Sequence, residues 1–306
     1  MQTIFDSIST QLQRSDGEVR RLFHGRGRCY PGFEAVVIDL LPPVAVIRLF
    51  AEVGAEVVSR LNTYFSALDE NIRPLSLVVQ HRYRREDSIE VLWDQVEGGL
   101  PDSLAVRELG LKYRVKPLKN QNSGLFLDMR EGRRWVKAHS TEKNVLNLFA
   151  YTCGFSIAAI AGGANKVINL DMSRGALNTG RDNHRLNDHP MERIKFLGHD
   201  LFRSWGKLKR EGLYDLVVID PPSFQKGSFV ATSDYRKVLR RLPEITNPGA
   251  QVLTCLNAPQ LESNFLHELM QECCPEFTFI KRIENPEDFP DADPEQALKV
   301  LLFARG

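Results

Sequence analysis

Residues 144–171 constrain what this chain can fold into more than any other part of the sequence. They contain an apolar run at 145–149, a turn of small residues, a helix-compatible stretch at 155–161 and a second apolar run that ends in Asp171. This order predicts a strand, a loop, a helix and a second strand. An acid at the end of that second strand, about 20 residues beyond a glycine-containing loop, is placed to hydrogen-bond ribose hydroxyls. The stretch therefore predicts a site for a cofactor that contains adenosine.

The loop between the strand and the helix indicates which cofactor binds. A dinucleotide needs glycines in the spacing G-x-G-x-x-G, so that backbone N–H groups can approach its pyrophosphate. Here Gly154 stands alone among bulky neighbours such as Tyr151 and Phe155. S-adenosylmethionine carries no phosphate, so its loop needs only one close approach of the backbone. We therefore favour S-adenosylmethionine, and the alternative is an ordinary βαβ unit whose glycine only punctuates the turn.

The composition predicts a globular protein that is long enough for two domains. The chain has 306 residues, of which 42% are hydrophobic and 26% are charged, and its net charge is +1. Any surface for nucleic acid must therefore be a local patch. The five cysteines form no C-x-x-C pair, which argues against a disulfide framework or a zinc ribbon and favours a reducing compartment. We expect a cytoplasmic protein with no metal site, no signal peptide and no membrane span.

The first third of the chain divides into a basic segment and a small domain. Residues 1–34 are expected to be an N-terminal arm, either solvated or in contact with RNA. Residues 35–110 predict a small α+β domain. Its expected strands span 35–40, 44–50, 75–80 and 89–93, and its helix spans 53–68. The arginines that could contact RNA phosphates, or equally form a solvated edge, are Arg26, Arg28, Arg82, Arg84 and Arg85.

Residues 111–306 alternate helix and strand signals. Strands are expected at 111–116, 194–197, 216–219, 251–256, 277–283 and 297–304, and helices at 173–186 (with Ser173 as N-cap), 201–210, 234–245 and 261–273. Such alternation predicts an open, mostly parallel sheet with helices on both faces. Ligands of these sheets bind beyond the carboxyl ends of the strands, where the sequence places Asp171, Asp200 and Asp220.

Five motifs in this region occur in a recognisable order and spacing. They are residues 124–130 (GLFLDMR), 147–155 (NLFAYTCGF), 171–173 (DMS), 183–187 (NHRLN) and 220–224 (DPPSF). With them, the chain from about Leu100 to its end resembles class I S-adenosylmethionine-dependent RNA methyltransferases related to the bacterial 23S rRNA methyltransferases that make 5-methylcytosine or 7-methylguanine. Residues 24–32 and the small domain resemble the central domain of the same family. The separate N-terminal RNA-binding module that many members carry is expected to be missing.

The resemblance implies a fold, a cofactor and a partner. The fold is α/β, with a Rossmann-like seven-stranded methyltransferase domain at 111–306 preceded by the small α+β domain. The cofactor is S-adenosylmethionine, and the partner is RNA, in particular ribosomal RNA.

The family also implies a role for each matching residue. Asp171 would hold the ribose hydroxyls, and Asp200 with Leu201 would hold the adenine. Asp128 and Arg130 would pair with the methionine end of the cofactor. The other implied cofactor contacts are Phe126, Asn147, Phe149, Ala150, Tyr151, Gly154, Phe155, Met172, Ser173 and Asn183. The implied catalytic residues, which would face the target base, are Asp220, Pro221, Pro222 and Asn257.

The atom that receives the methyl group depends on a cysteine. Carbon 5 of cytosine is not nucleophilic, so its methylation needs a thiolate that adds to the neighbouring carbon. Family members of this kind carry that cysteine where Asn257 stands here. Cys255, two residues earlier, is expected to be a buried structural residue.

Guanine N7 or an exocyclic amine mainly needs proximity to the methyl group, for which Asp220 is adequate. We therefore predict a base methyltransferase and leave the atom open. The alternatives are a methyltransferase of a protein or small molecule, and a non-catalytic RNA assembly factor that keeps the cofactor fold.

Overall fold

The protein, here as a computed structural model that describes residues 1–119, 123–222, 224–225 and 229–306, divides into two compact units. The first unit comprises Met1–Asp128 with Pro286–Ala292, and the second comprises Met129–Asn285 with Asp293–Gly306. The boundaries expected at residues 34 and 110 differ from this division. Residues 1–34, 35–110 and 111–128 all belong to the first unit.

The first unit contains a five-stranded sheet in the order β1-β2-β3-β4-β5 and a separate hairpin of β6 and β7. Its elements are α1 Gln2–Gln13, β1 Arg20–His24, β2 Val36–Leu41, β3 Val44–Leu49, α2 Ala55–Ser66, β4 Ser76–His81, β5 Ile89–Asp94, β6 Leu104–Glu108 and β7 Leu111–Val115. Strands β3 and β4 are parallel, and the other neighbours in the sheet are antiparallel. The strands and the helix expected within 35–94 are confirmed, whereas β6 was not expected.

Helix α1 and strand β1 correct the expectation of an arm at residues 1–34. Strand β1 pairs with β2 in the sheet. Helix α1 buries Ile4, Ile8 and Leu12, which recur every four residues and therefore form one helix face. These side chains pack with Leu61 and Phe65 of α2 in the core of the unit. The charges of this segment suggested an arm, but its apolar spacing makes it part of the domain.

The second unit contains a seven-stranded sheet in the order β10-β9-β8-β11-β14-β16-β15. Its elements are α3 Arg130–Ala138, β8 Asn144–Leu148, α4 Gly154–Ala161, β9 Lys166–Leu170, α5 Arg174–Leu186, β10 Ile194–Leu197, α6 Trp205–Arg210, β11 Tyr214–Ile219, β12 Phe224–Gln225, β13 Phe229–Val230, α7 Ala231–Leu239, α8 Leu242–Ile245, β14 Thr246–Leu256, α9 Asn264–Cys273, β15 Phe277–Ile283 and β16 Lys299–Arg305. The first five strands in the sheet order are parallel, and β16 is antiparallel to both of its neighbours. The predicted Rossmann-like seven-stranded sheet is confirmed.

Two helices of this unit differ from their expected bounds. The helix expected at 201–210 begins as a short 3₁₀ helix, Leu201–Arg203, and continues as α6. The helix expected at 234–245 is divided into α7 and α8, with Pro243 in the first turn of α8. A proline is tolerated in the first turn of a helix but disrupts a helix interior, so α8 starts afresh there.

The sheet of the second unit is buried on both faces. Side chains at alternate strand positions, such as Leu146, Val217 and Val252, pack in one core with α6, α7, α8 and α9. Helices α3 and α4 pack against each other, and α4 also contacts β8 and β9. The parallel strands therefore direct their carboxyl ends to one edge of a three-layer unit. Among the residues described here, no helix is both long and apolar enough to cross a membrane.

Candidate cofactor and substrate site

The loop after β8 has an unusual backbone. Phe149, Tyr151 and Cys153 have positive φ angles of 57°, 47° and 66°, a left-handed conformation that non-glycine residues rarely adopt. The Ala150 N–H donates to the Leu170 carbonyl oxygen at 3.1 Å, and the Cys153 N–H donates to the Ala150 carbonyl oxygen at 2.7 Å. Strained backbone of this kind persists only where its surroundings hold it, and it is common at ligand sites.

The Asp171 carboxylate joins this loop to the start of α5. Its Oδ2 accepts a hydrogen bond from the Tyr151 N–H at 2.8 Å, and its Oδ1 accepts one from the Ser173 N–H at 2.7 Å. An ionised carboxylate has about four acceptor positions, so two hydroxyls can still bind there. Ser173 is the expected N-cap, since its Oγ accepts from the Ala176 N–H at 3.2 Å.

A second acid lies at the next strand end along the sheet. Asp200 follows the end of β10 and caps the short 3₁₀ helix, because its Oδ1 accepts from the Phe202 N–H at 2.8 Å. Leu201 is buried in the main core. Met172 is 59% exposed beside Asp171, so its side chain is free to cover a ligand.

A row of buried and partly buried polar side chains connects β8, β9, α4 and α5, the elements that flank the loop. Asn147 donates from Nδ2 to Asn169 Oδ1 at 2.9 Å, and Asn169 donates from Nδ2 to Ser156 Oγ at 3.0 Å. Ser156 Oγ lies 2.9 Å from His184 Nε2, and His184 Nδ1 lies 2.9 Å from His189 Nδ1. A serine hydroxyl accepts two hydrogen bonds and donates one, so Ser156 can accept from Asn169 and still pair with His184 in either neutral tautomer. We call these five side chains the neutral row.

Burial explains the protonation of this region. Burial and the neighbouring His189 lower the pKa of His184 to about 3. Burial raises the pKa of the Cys153 thiol, and the Asp171 carboxylate raises it further. A Cβ atom on Gly180 would lie 2.4 Å from Cys153 Sγ, so α5 can approach the loop this closely only with glycine at that position.

The implied cofactor residues of this unit therefore fall into two groups. Those at least partly exposed at the strand ends are Phe149, Tyr151, Gly154, Asp171, Met172, Ser173 and Asp200. Those buried in or behind the loop and strands are Asn147, Ala150, Phe155, Asn183 and Leu201. Asn183, for example, donates from Nδ2 to the Thr152 carbonyl oxygen at 3.1 Å. Side chains in the second group can shape the site by holding its backbone.

The three remaining implied cofactor contacts belong to different units. Phe126, which is 48% exposed, and Asp128 belong to the first unit, whereas Arg130 begins α3 in the second. Their contact with the cofactor stays a prediction.

The catalytic residues expected at the strand ends are brought together by β11 and β14. Asp220 is partly exposed after β11, and Pro221 is buried beside it. Strand β11 pairs in parallel with β14, with Ile219 opposite Thr254. Cys255 is 1% exposed, which confirms its expected burial, and Asn257 is exposed just past β14. Ser223 and the side chain of Phe224, which belong to the 220–224 motif, lie outside the described residues.

Tyr235 in α7 is a site residue that sequence reasoning missed. Its Oη lies 3.4 Å from the Ile219 carbonyl oxygen and donates to that of Cys255, so it ties the ends of β11 and β14 together. Its ring lies edge-on to Phe229 at 5.5 Å, and Phe229 lies edge-on to Phe149 at 5.0 Å. No local sequence pattern indicates such a role for Tyr235. Asn169, in contrast, could be identified from the sequence as a polar residue inside an apolar strand.

The five arginines expected to contact RNA have different surroundings in the first unit. Arg28 pairs with Asp291 at 2.7 Å, Arg84 lies over the Tyr83 ring at 5.3 Å, and Arg85 is exposed. Arg26 and Arg82 both lie over the ring of Phe50. The five arginines, which were predicted as one patch, therefore lie in several different local environments.

Comparisons with known proteins found a family and several relatives. The family described as S-adenosylmethionine-dependent methyltransferase matches residues 20–304. Ribosomal RNA large subunit methyltransferase I of Cronobacter sakazakii is 28% identical over 294 residues, which cover 91% of this chain and 72% of the relative. The protein of the same name from Aliivibrio fischeri (strain MJ11) is 30% identical over 198 residues, which cover 62% of this chain and 50% of the relative. That match thus spans half the length of the relative.

A solved structure shares the fold. The protein SMU.776, described as a methyltransferase and solved with S-adenosylhomocysteine, superposes with a TM-score of 0.85 at 22% sequence identity. The superposition covers 99% of this chain and 81% of the other.

Proposed function

Because this chain belongs to the S-adenosylmethionine-dependent methyltransferase family, whose cofactor is S-adenosylmethionine, we propose that it transfers the methyl group of that cofactor to a base of RNA. Ribosomal RNA is the proposed substrate class, and the names of its relatives support this choice. The observation that carries the proposal is the Asp171 carboxylate, which holds the strained loop and keeps acceptor capacity for two hydroxyls.

The residues at the strand ends have distinct proposed roles. Asp171 binds the ribose hydroxyls, and Asp200 accepts from the adenine amino group. Phe149 and Tyr151 contact the methionine arm beside the strained backbone, and Asp128 with Arg130 pairs with its charged groups. Asn183 holds the loop in shape, since its Nδ2 donates to the Thr152 carbonyl oxygen, and Asn147 joins β8 to β9 through Asn169. RNA contacts the arginines of the first unit.

The burial of Cys255 favours a nitrogen over carbon 5 of cytosine as the methyl acceptor. A thiol that adds to the base must be ionised and reach the ring, and a residue that is 1% exposed within a strand is poorly placed for both. Bound S-adenosylmethionine would supply an electrophilic methyl group on a sulfonium sulfur, which would keep the electron pair of the carbon–sulfur bond, so a nitrogen lone pair needs no thiolate to accept the methyl group. An exocyclic amine then loses a proton, which the Asp220 carboxylate accepts, and the amide oxygen of the exposed Asn257 orients the amine by accepting a hydrogen bond. Pro221 and Pro222 shape the turn that presents Asp220.

A methyl-transfer assay tests this proposal. The protein and tritiated S-adenosylmethionine would be incubated in three separate reactions with total RNA, total protein and a small-molecule extract of a bacterium. The nucleosides of the labelled RNA would then be analysed. We expect label in RNA, carried by an N-methylated base. If only protein or small molecules were labelled, the substrate would be one of these and not RNA. Cofactor binding without transfer of label to any of them would indicate a non-catalytic role.

Two variants test the chemistry in the same assay. Asp220→Ala should lower the turnover by about a hundredfold or more, the range typical of a lost proton acceptor. Cys255→Ser should keep turnover near the wild-type rate, because the thiol takes no part in attack at nitrogen. Loss of activity in the serine variant with unchanged cofactor affinity would restore the cytosine-C5 mechanism.

The proposed substrate also suggests a location. Ribosomal RNA is found in the cytoplasm of bacteria, and a chain whose five cysteines form no disulfide in the described structure suits a reducing compartment. We therefore propose a cytoplasmic protein.

A further inference from the structure

Three strands of the first unit deliver residues to one edge of their sheet. Strand β2 is antiparallel to both β1 and β3, and β3 is parallel to β4, so β1, β3 and β4 run in the same direction. Arg26 follows the end of β1, Phe50 follows the end of β3, and Arg82 follows the end of β4. These three residues therefore meet at the carboxyl edge of the sheet.

The Phe50 ring is a platform for both guanidinium groups. The Cζ atom of Arg26 lies 4.2 Å from the ring centroid, and that of Arg82 lies 5.7 Å from it. A guanidinium that stacks on an aromatic face keeps its N–H groups directed outward at its edge. Among the described residues, neither Arg26 nor Arg82 forms an ion pair with a carboxylate, unlike Arg28, which pairs with Asp291.

The backbone that carries Arg26 is tightly held. Arg26 lies in a short 3₁₀ helix, Gly25–Gly27. A Cβ atom on Gly25 would lie 1.9 Å from the Phe33 carbonyl oxygen, and one on Gly27 would lie 1.8 Å from that of Pro290. Phe50 and Arg82 are held by backbone hydrogen bonds, from the Phe50 N–H to the Ala35 oxygen at 2.9 Å and from the Arg82 N–H to the Leu49 oxygen at 2.8 Å. The two guanidinium groups are therefore positioned before any ligand arrives.

The charge of this part of the sheet is unbalanced. Arg21 and Arg48 both pair with the single carboxylate of Asp39, which is buried between them. Burial and the neighbouring arginines, Arg82 among them, lower the pKa of Arg48 to about 9. Burial, followed by the charge of Arg21, also lowers the pKa of Arg26. Burial lowers the pKa of Arg21 as well, but the carboxylates of Asp128 and Asp288 lie near it and oppose that shift, whereas burial and a neighbouring arginine lower the pKa of both Arg26 and Arg82. The edge that carries Arg26 and Arg82 therefore favours a bound anion.

We propose that Arg26, Phe50 and Arg82 form a clamp for a phosphodiester group of single-stranded RNA. The oxygens of a phosphate can accept hydrogen bonds from the N–H edges of two guanidinium groups. Such charge-assisted hydrogen bonds are stronger than those between neutral groups. The clamp rests on the proposed function, and it selects two of the five arginines and adds an aromatic residue. Arg28, Arg84 and Arg85 are outside it.

Salt-dependent RNA binding by the whole protein tests the clamp. The probe is a fluorescein-labelled single-stranded RNA oligonucleotide, and fluorescence anisotropy gives its affinity across a series of KCl concentrations. The double variant Arg26→Gln/Arg82→Gln should reduce the slope of log affinity against log salt by about 0.7, because the one phosphate contact that the two side chains share is lost. Arg26→Gln and Arg82→Gln should each reduce the slope by part of that amount. Each should also weaken binding by about tenfold or more at fixed salt. Phe50→Leu should weaken binding with the slope unchanged, since both charges remain.

A matched control is available in helix α2 of the same unit. Arg60 in α2 is exposed and lies over the Phe5 ring at 5.9 Å, so Arg60→Gln makes the same charge change on another stacked arginine. We expect its slope and affinity to equal those of the wild type. Thermal denaturation and cofactor calorimetry of each variant would show that the fold is intact, and both glutamine variants change residues that are at least partly exposed.

The clamp and the proposed function fail in different ways. If the wild type binds RNA with a steep salt slope but Arg26→Gln and Arg82→Gln behave like Arg60→Gln, the clamp is wrong and the proposed function stands. Wild-type affinity in Phe50→Leu would remove the aromatic platform from the clamp. If the wild type transfers no methyl group to RNA, the proposed function is wrong whatever the slopes are.

Discussion

Each compact unit contains a row of buried polar side chains, and the two rows differ in their chemistry. In the second unit the neutral row of Asn147, Asn169, Ser156, His184 and His189 consists of amides, a hydroxyl and imidazoles. In the first unit a charged row crosses the sheet. Arg21 and Arg48 pair with Asp39, Arg48 donates to Gln80 Oε1 at 3.0 Å, and Gln80 donates to the Pro117 carbonyl oxygen at 2.6 Å.

The difference shows what each kind of row can do. A neutral row is satisfied when each donor finds an acceptor, so it can hold a loop in shape without adding charge to a ligand site. A charged row must balance burial against ion pairing, and any excess charge extends its field to the surface. The neutral row connects the elements that flank the strained cofactor loop, and the charged row lies in the sheet that carries the proposed clamp.

The largest effect is expected from breaking the charged row at Asp39. Asp39→Asn keeps the size of the side chain but leaves Arg48, and in part Arg21, as buried cations without a carboxylate. Removing one partner of a buried ion pair typically lowers the free energy of unfolding by about 3–5 kcal/mol. Urea denaturation would measure the loss.

Glu70→Gln, which removes only an exposed partner of Arg73, should leave the unfolding midpoint unchanged. Equal stability of the two variants would contradict a structural role for the charged row.

A smaller loss of stability is expected when the neutral row is broken. Two variants, one within β9 and one just after it, can separate effects on folding from effects on cofactor binding. Asn169→Leu leaves the buried Asn147 amide without its acceptor, so the free energy of unfolding should fall by about 1–3 kcal/mol. Asp171→Ala removes a charged acceptor of the ribose hydroxyls, so S-adenosylmethionine binding should weaken by about 1.5–3 kcal/mol per hydrogen bond lost. The Tyr151 and Ser173 N–H groups also lose their acceptor, but Asp171 is partly exposed, so the free energy of unfolding should fall by less than in Asn169→Leu. Denaturation and calorimetry would measure the two quantities. Unchanged cofactor affinity in Asp171→Ala would refute the proposed pocket.

The smallest expected effect is a pH dependence that originates in the neutral row. The pKa of His184 falls from 6.5 to about 3 on folding, so between these values the unfolded chain binds a proton that the folded chain excludes. The stability contributed by neutral His184 is therefore fully present above pH 6.5 and is lost as the pH falls. The maximum slope is about 1.4 kcal/mol per pH unit, which gives about 1–2 kcal/mol between pH 6.5 and about pH 5.

His184→Gln tests this dependence, because a glutamine side chain can still donate and accept hydrogen bonds but does not titrate. Urea denaturation across that pH range should show a shallower loss of stability in the variant than in the wild type. His24 in the first unit also has its pKa lowered to about 3, by burial and by Arg21 and Arg26, so part of the slope should remain. Parallel curves for wild type and variant would mean that His184 does not titrate as described.

Much of the second unit was predictable because its signals are local. The alternation of strands and helices, the N-cap at Ser173 and the acid at the end of β9 each depend on residues close together in the chain. Burial of Cys255 was also predictable, because Cys255 lies within an apolar strand. The bounds of α6 and α8 were less predictable, because the 3₁₀ turn capped by Asp200 and the proline in α8 change only one turn of helix.

The class of fold, the cofactor and the positions of the strand-end acids were predictable from the sequence, because apolar periodicity and turn chemistry act over a few residues. Which polar residues meet depends on how distant parts of the chain pack together. Arg21, Asp39 and Arg48 come from three strands, and the partner of Arg28 is Asp291, far along the chain. Only strand register and packing place such groups within hydrogen-bonding distance. Whether an arginine is paired, stacked or available to a ligand therefore depends on neighbours that no local pattern specifies.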